Sequence, residues 1–287
     1  MEEMISFDDL VAAWLLPYAG KTADAYRRDI IKWLQWCEQN NINPLRVRRM
    51  HIEAYGKWRA TMGDSPSTRN NRYAAICGFY RYLYAEMVLD HDPGSDVRRN
   101  RVYSHSCGTV LDRQQAASLL QEADRCGRQD RAICTLLLLT GARNNEACQL
   151  DVTDWHDGER PYVRYHRKGA WLQDVGVPDL VADALRALIR DRTSGPVFRS
   201  QNGRKRITPT QLAVRVALVA ERCGLSDVTP HTLRRTFCTL SRDAGVPDAQ
   251  IMAMGGWHSV EMLDYYDMAA HGRRGQAGQS LQNYLTE

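Results

Sequence analysis

Apolar residues recur at helical spacing along most of the chain, and short polar stretches separate the segments that show this pattern. In the first hundred residues we predict helices at 6–15, 22–39, 49–62 and 68–87, with Thr22 and Ser67 as N-terminal caps. Turn-forming residues at 40–44 and 63–67 break the pattern between them. This region is therefore predicted to be a bundle of helices.

From residue 111 onward the pattern predicts further helices and one region of β-strand. Asp112 followed by Gln115 forms a capping box. Helices are predicted at 129–139, 144–150, 179–192, 208–223, 229–244 and 247–254. Residues 162–167 and 170–177 are the one convincing strand region, and they flank Lys168-Gly169 in the manner of a β-hairpin. The fold class is therefore predicted to be mainly α, with a small β-hairpin in the second half.

Two domains are expected, because 287 residues are enough for two separate cores. The turn-rich segment 90–95 and the basic residues 98–101 lie between the two helical regions. We therefore predict an N-terminal domain at 1–90, a linker at 91–108 and a second domain at 109–275. A tail at 276–287 carries a small apolar stripe and is expected to dock on a surface of its own domain or of another protomer.

Charge and cysteine content narrow the class of protein. The net charge is only +4, but basic residues cluster at 46–49, 98–101 and 204–206, as expected for a chain that holds nucleic acid; a solvated basic surface is the alternative. The eight cysteines form no Cys-x-x-Cys pair and read as reduced thiols of a cytoplasmic protein. The N-terminal sequence predicts neither a signal peptide nor a membrane span.

The segment 229–266 carries groups that suit the chemistry of a phosphodiester. His231 and Arg234 lie three residues apart in one predicted helix, so they share a face. A guanidinium binds two phosphate oxygens in parallel, and an imidazole exchanges a proton near neutral pH. A tyrosine becomes a nucleophile where cations favour loss of its proton, and Tyr266 is our candidate.

These residues resemble the C-terminal signature of the tyrosine recombinases, or phage integrases. The resemblance rests on His231-x-x-Arg234, on Gly-Gly-Trp257-His258, and on Tyr266 nine residues after the tryptophan. It extends to Arg143, within Thr-Gly-x-Arg-x-x-Glu, and to Lys168 in the predicted hairpin turn. It covers roughly residues 1–280, strongly in the second half. Such enzymes have a SAM-like helical domain that clamps DNA opposite a catalytic domain.

The resemblance implies a site-specific recombinase that acts on double-stranded DNA with a specific core site, as a tetramer on synapsed DNA, without a metal or nucleotide cofactor. The expected type has two domains and no arm-binding domain. The catalytic residues that it implies are Arg143, Lys168, His231, Arg234, Trp257 and the nucleophile Tyr266. The candidate DNA-contacting residues are Arg27, Arg28, Arg69, Arg72, Arg204, Lys205 and Arg206.

Several alternatives stay open from the residues alone. His258 competes with Trp257, and Tyr265 competes with Tyr266, since adjacent residues on a helix point about 100° apart. Arg143 could pair locally with Glu146, and Lys168 could be a solvated turn lysine. A type IB topoisomerase, a hairpin-forming resolvase and a noncatalytic DNA-binding module are the alternative functions.

Overall fold

A computed structural model of the chain describes residues 6–101, 109–167, 171–200, 202–203 and 205–265. The chain divides into two compact units, Met1–Tyr103 and Ser104–Glu287. The described residues form α-helices, two short 3₁₀ turns and one small antiparallel sheet. The predicted mainly α fold class is confirmed.

Over residues 6–101, the first unit is a bundle of four helices. They are α1 (Phe7–Leu15), α2 (Gly20–Gln39), α3 (Arg49–Thr61) and α4 (Pro66–Ala85). Its core is rich in aromatic side chains, and the Trp33 indole donates a 3.0 Å hydrogen bond to the hydroxyl of Tyr80. That hydroxyl donates in turn to the carbonyl of Pro44, so the two buried polar groups are paired.

Two predicted helix caps in this unit are wrong. Helix α4 begins at Pro66, and Ser65 caps it by accepting a hydrogen bond from the amide of Thr68. Proline at the first helical position is already set for the helix, so Ser65-Pro66 is the stronger start signal. Thr22 lies inside the first turn of α2, because that helix begins at Gly20.

Arg72 corrects the sequence analysis, which grouped it with the candidate DNA-contacting residues. Its side chain is buried in the first unit and pairs with the carboxylates of Asp29 and Asp64. The hydrogen bond from Arg59 and the contact with Arg72 hold the pKa of Asp64 well below its usual range. Arg72 therefore acts within the protein, since its Nε and Nη1 already donate to these two carboxylates.

The second unit is built around one apolar helix. Its helices are α5 (Arg113–Cys126), α6 (Arg128–Thr140), α7 (Asn144–Gln149), α8 (Asp179–Ile189), α9 (Pro209–Arg222), α10 (Pro230–Asp243) and α11 (Asp248–Gly255). Helix α6 packs against α5, α8, α9 and α10, and its residues Leu136 and Leu137 are fully buried. A helix that is apolar on several sides must lie in the core, as its sequence predicts.

A three-stranded antiparallel sheet accompanies these helices, in the order β1 (Trp155–His156), β2 (Tyr162–Arg167) and β3 (Trp171–Gly176). Strands β2 and β3 form the predicted hairpin, with Arg167 opposite Trp171 at its closing end. Strand β1 was not predicted, because two residues are too short to show an alternating pattern. Lys168 lies outside the described residues.

The described segments contain no group of histidine, cysteine and acidic residues that could hold a metal ion. Their seven cysteines are free. Within these same segments, no helix has the length and apolar character needed to cross a membrane.

Candidate active site

Helix α10 positions His231 and Arg234. Thr229 caps the helix through a reciprocal capping box with Thr232, and Pro230 occupies the first helical position. Arg234 is 2% exposed. His231 lies at the surface, but its imidazole is partly desolvated. This desolvation lowers the pKa of His231, and the positive charges of Arg235 and Arg234 lower it further.

The turn Gly255-Gly256 brings the two candidate arginines together. Helix α11 ends at Gly255 and is followed by the C-cap residue Gly256, which has the left-handed φ of 66° that glycine adopts without strain. Arg234 donates to the carbonyl of Gly255 at 2.7 Å, and Arg143 donates to the carbonyl of Gly256 at 3.0 Å. Arg234 also donates to the carbonyl of Gly141, so three separate segments meet here.

Four carbonyls at the end of α11 hold this arrangement. The carbonyls of residues 253–256 accept hydrogen bonds from the side chains of Gln173, Arg167, Arg234 and Arg143. The last carbonyls of a helix lack partners within the helix, and the negative end of the helix dipole attracts cations. The C-terminus of α11 therefore offsets part of the repulsion between guanidinium groups that lie close together.

Arg143 is the N-terminal cap of α7, and Glu146 fixes its geometry. The two oxygens of this carboxylate accept from the Arg143 backbone amide at 2.9 Å and from its guanidinium at 2.7 Å. The local pairing that the sequence left open is thus present, alongside the contact with Gly256. Because 39% of the Arg143 side chain is exposed, part of this side chain remains open to solvent.

Trp257 and His258 have different environments. Trp257 is buried, and its ring centroid lies 3.9 Å from the guanidinium carbon of Arg234. His258 is exposed, with its ring centroid 6.0 Å from that of Trp171 on β3. Of the two, Trp257 has the direct contact with a candidate catalytic arginine, which favours it over His258.

Arg167 and Glu146 belong to this cluster although sequence reasoning did not single them out as site residues. Arg167 donates to the Glu146 carboxylate at 2.9 Å and lies over the ring of Tyr165 at 5.1 Å. One signal for Arg167 was available, because the period of two along β2 places Val163, Tyr165 and Arg167 on the same buried face. An arginine on a buried strand face needs partners from elsewhere in the fold.

The cluster carries more positive than negative charge among the described residues. Two guanidinium groups, those of Arg143 and Arg167, share the single carboxylate of Glu146, and Arg234 donates to the carbonyls of Gly141 and Gly255 in the same cluster. An anion such as a phosphate is attracted to an unbalanced positive cluster of this kind.

The candidate nucleophile, Tyr266, and the candidate general acid, Lys168, lie outside the described residues. The chain before Tyr266 is anchored on α10, because Asp264 accepts a 2.9 Å hydrogen bond from Arg242 and Leu263 packs in a small buried cluster. Helix α10 is the helix that also carries His231 and Arg234. Tyr265 is 38% exposed.

The remaining candidate DNA-contacting residues differ in exposure. Arg27, Arg28 and Lys205 are exposed, and Arg69 is half-buried. Arg206 is not a free surface cation as the sequence suggested, because it makes a two-pronged ion pair with Asp151. It also donates to two backbone carbonyls, those of residues 148 and 150. Arg204 lies outside the described residues.

Comparisons with known sequences identify two segments. Residues 109–273 match the Phage integrase family, and residues 17–87 match the Phage integrase N-terminal SAM-like domain. Tyrosine recombinase XerC of Pseudomonas fluorescens is 33% identical over 239 residues, covering 76% of this chain and 75% of the relative. XerC of Pseudomonas putida is 30% identical over 256 residues, covering 85% and 84%.

Solved structures share the fold at lower identity. A lambda integrase dimer bound to a COC′ core site has a TM-score of 0.72 and 16% identity, covering 90% of this chain and 93% of that one. XerH bound to palindromic difH substrate has a TM-score of 0.69 and 18% identity, covering 91% and 80%. The chain therefore belongs to the phage integrase family and is a site-specific tyrosine recombinase. These relatives do not favour the topoisomerase, the resolvase or the noncatalytic module.

Proposed function

We propose that this recombinase cuts and rejoins double-stranded DNA at a specific core site through a 3′-phosphotyrosyl intermediate. The residues proposed to act are Arg143, Lys168, His231, Arg234, Trp257 and Tyr266. The observation that best supports this is the convergence of Arg143 and Arg234 on the adjacent carbonyls of Gly255 and Gly256, beside Trp257. Two arginines that come from distant segments and meet in this way suit a phosphate that gains charge in its transition state.

The proposed reaction proceeds in two mirrored steps. The phenol of Tyr266 gives up its proton to solvent and bonds to phosphorus while the bond from phosphorus to the 5′-oxygen breaks. Lys168 supplies a proton to that leaving oxygen, and nearby guanidinium groups favour its release. A 5′-hydroxyl from a partner duplex then attacks the phosphotyrosine and restores the phenol. The step consumes no ATP, because each bond broken is replaced by another phosphate ester.

His231 and Trp257 support the arginines in this scheme. His231 lies one helical turn before Arg234 on α10, and its lowered pKa favours a neutral imidazole that can donate or accept at the phosphate. Trp257 covers one face of the Arg234 guanidinium and restricts its orientation.

The proposed partners follow from the structural relatives. A lambda integrase tetramer has been solved on a Holliday junction, with a TM-score of 0.69 to this chain. By analogy we propose that this chain acts as a tetramer on synapsed DNA in the cytoplasm. In this proposal residues 1–90 hold the core site, 91–108 link the domains, 109–275 catalyse, and the tail at 276–287 docks on a neighbouring protomer.

Covalent capture on DNA tests the proposal. A core site would be selected from random duplexes by capture on the full chain, and then rebuilt with a nick close to the cleaved bond, so that the released fragment diffuses away and traps the adduct. We expect wild-type protein and Tyr265→Phe to form the adduct and Tyr266→Phe to form none. An adduct that persists in Tyr266→Phe and is lost in Tyr265→Phe would make Tyr265 the nucleophile. No adduct with the wild-type chain would overturn the proposed reaction.

A further inference from the structure

Arg167 has an unusual set of contacts for a residue at the end of a hairpin strand. Its side chain is 3% exposed, and every nitrogen of its guanidinium has a recorded partner. Its Nε donates to Gln173 at 2.7 Å, and Nη2 donates to the carbonyl of Met254 at 2.8 Å. Its Nη1 reaches both Glu146 at 2.9 Å and the carbonyl of Gly255 at 3.1 Å. A buried guanidinium with this many partners has one well-defined orientation.

Two of these partners are shared with the candidate catalytic arginines. Glu146 accepts from Arg167 through Oε2 and from Arg143 through Oε1. The carbonyl of Gly255 accepts from Arg167 and from Arg234. Arg167 therefore fixes one acceptor of each arginine, and it does so from a position where it is itself covered by protein.

We propose that Arg167 is a positioning residue that orients the guanidinium groups of Arg143 and Arg234 by sharing one acceptor with each. This inference rests on the proposed function, since it assumes that the two arginines act on the scissile phosphate. Without Arg167, Glu146 and the end of α11 lose a common donor, and the two arginines lose their fixed spacing. A displacement of about 1 Å at a reacting group can lower a rate about 100-fold.

The test uses single-turnover cleavage of the nicked core-site duplex by the full chain. Arg167→Met removes the shared donor but retains much of the side-chain volume, and we expect cleavage to slow about 100-fold while DNA affinity stays the same. Arg167→Lys keeps the positive charge but lacks the planar guanidinium that donates to several acceptors at once, so its cleavage should be slowed almost as much as that of Arg167→Met. The matched control is Arg164→Met, which removes a partly exposed cation from the same strand and breaks its ion pair with Asp174 and its contact with the ring of Tyr162.

A second substrate separates positioning from a general loss of structure. In this duplex a methyl group replaces one nonbridging oxygen of the scissile phosphate, which removes the negative charge that the arginines neutralise. If Arg167 acts through the arginines, Arg167→Met should be much less defective on this methylphosphonate than on the phosphodiester. The ratio of the two rates does not depend on the fraction of folded protein, because both substrates meet the same enzyme.

The outcomes are distinct. The relevant ratio is the cleavage rate on the phosphodiester divided by the cleavage rate on the methylphosphonate. A ratio in Arg167→Met that is about tenfold or more below the wild-type ratio supports the inference, because this is a loss of at least about 1.4 kcal/mol specific to the charged phosphate. An equal loss of cleavage rate on both substrates, or cleavage by Arg167→Met at the wild-type rate, overturns the inference and leaves the proposed function intact. Wild-type protein that forms no adduct overturns the proposed function and the inference with it.

Discussion

The guanidinium carbon of Arg234 lies 3.9 Å from the centroid of the Trp257 ring, and both residues are buried. The Phe237 ring lies parallel to that of Trp257, within 5°, with 6.3 Å between ring centroids. Trp257 thus has two tasks, since it completes a small apolar cluster and covers one face of a candidate catalytic cation. A contact between a buried cation and an aromatic face is worth about 2 kcal/mol when water is excluded.

Substitution of Trp257 is expected to destabilise the chain according to how much ring is lost. Trp257→Ala leaves a cavity beside Phe237 and should lower the free energy of unfolding by about 3–5 kcal/mol. Trp257→Phe keeps a ring over Arg234 and should cost clearly less. Urea unfolding followed by circular dichroism measures both. Equal stability of Trp257→Ala and wild-type protein would show that the ring contacts contribute little.

The stability cost of an alanine at Gly256 can be compared with the cost at a second glycine, Gly245, which serves as the control. Both Gly256 and Gly245 have left-handed backbones, with φ of 66° and 77°. A Cβ on Gly245 would meet open space, whereas a Cβ on Gly256 would collide with the guanidinium of Arg167. Gly245→Ala should therefore cost only the backbone strain of about 1–2 kcal/mol.

Gly256→Ala should cost more than this and should also slow DNA cleavage, because Arg167 must move away from Gly255 and Glu146. The free energy of unfolding and the single-turnover cleavage rate are measured for both variants. If Gly256→Ala matched Gly245→Ala in stability and in rate, the contact between Arg167 and the turn would be unimportant.

The lowered pKa of His231 is expected to make the stability of the folded chain depend on pH. Desolvation and the charges of Arg235 and Arg234 lower its pKa in the folded chain. The unfolded chain therefore binds more protons than the folded chain between the ordinary pKa of about 6.5 and the lower folded value. The contribution of His231 to stability is complete above about pH 6.5 and is lost as the pH falls through this window.

Urea midpoints of wild-type protein and His231→Gln, measured from about pH 8 to about pH 5, isolate this contribution. Wild-type protein should lose more stability on acidification than His231→Gln. His258→Gln is a suitable control, because His258 is an exposed histidine in the same unit. An identical pH slope in wild-type protein and His231→Gln would contradict the assignment.

Local signals allowed much of this fold to be predicted. The capping box at Asp112 and the threonine and proline at the start of α10 are visible in the sequence and present in the structure. The double glycine also ends α11, one residue later than the predicted end at residue 254. These features depend on residues within four positions of each other, so a single sequence contains the needed information.

The contacts that assemble the candidate site depend on long separations, and the sequence does not reveal them. Arg234 reaches the carbonyl of Gly141 across 93 positions, and Arg143 reaches that of Gly256 across 113. Backbone carbonyls carry no residue signature, so no pattern marks them as acceptors. The short motifs that contain Arg143, His231, Arg234 and Trp257 could be recognised from their order along the chain. The shared acceptor carbonyls at the end of α11 could be identified only from the fold.

Exposed arginines of the first unit should contribute to DNA affinity through phosphate contacts. Arg27 and Arg28 are exposed on α2. If each contacts a phosphate, Arg27→Ala with Arg28→Ala should weaken binding of any duplex and lower the slope of log K against log salt by about two. Fluorescence anisotropy of a labelled core-site duplex at several salt concentrations measures this slope. An unchanged slope would remove both residues from the DNA interface.

Arg72 should behave in the opposite way, although the sequence placed it in the same group. It is buried against Asp29 and Asp64, so Arg72→Ala leaves two largely buried carboxylates without this partner. Loss of one member of a buried ion pair costs about 3–5 kcal/mol. We therefore expect a lower thermal midpoint for Arg72→Ala and, for the protein that remains folded, an unchanged salt slope of DNA binding. A lower slope with wild-type stability would mean instead that Arg72 turns outward to meet phosphate.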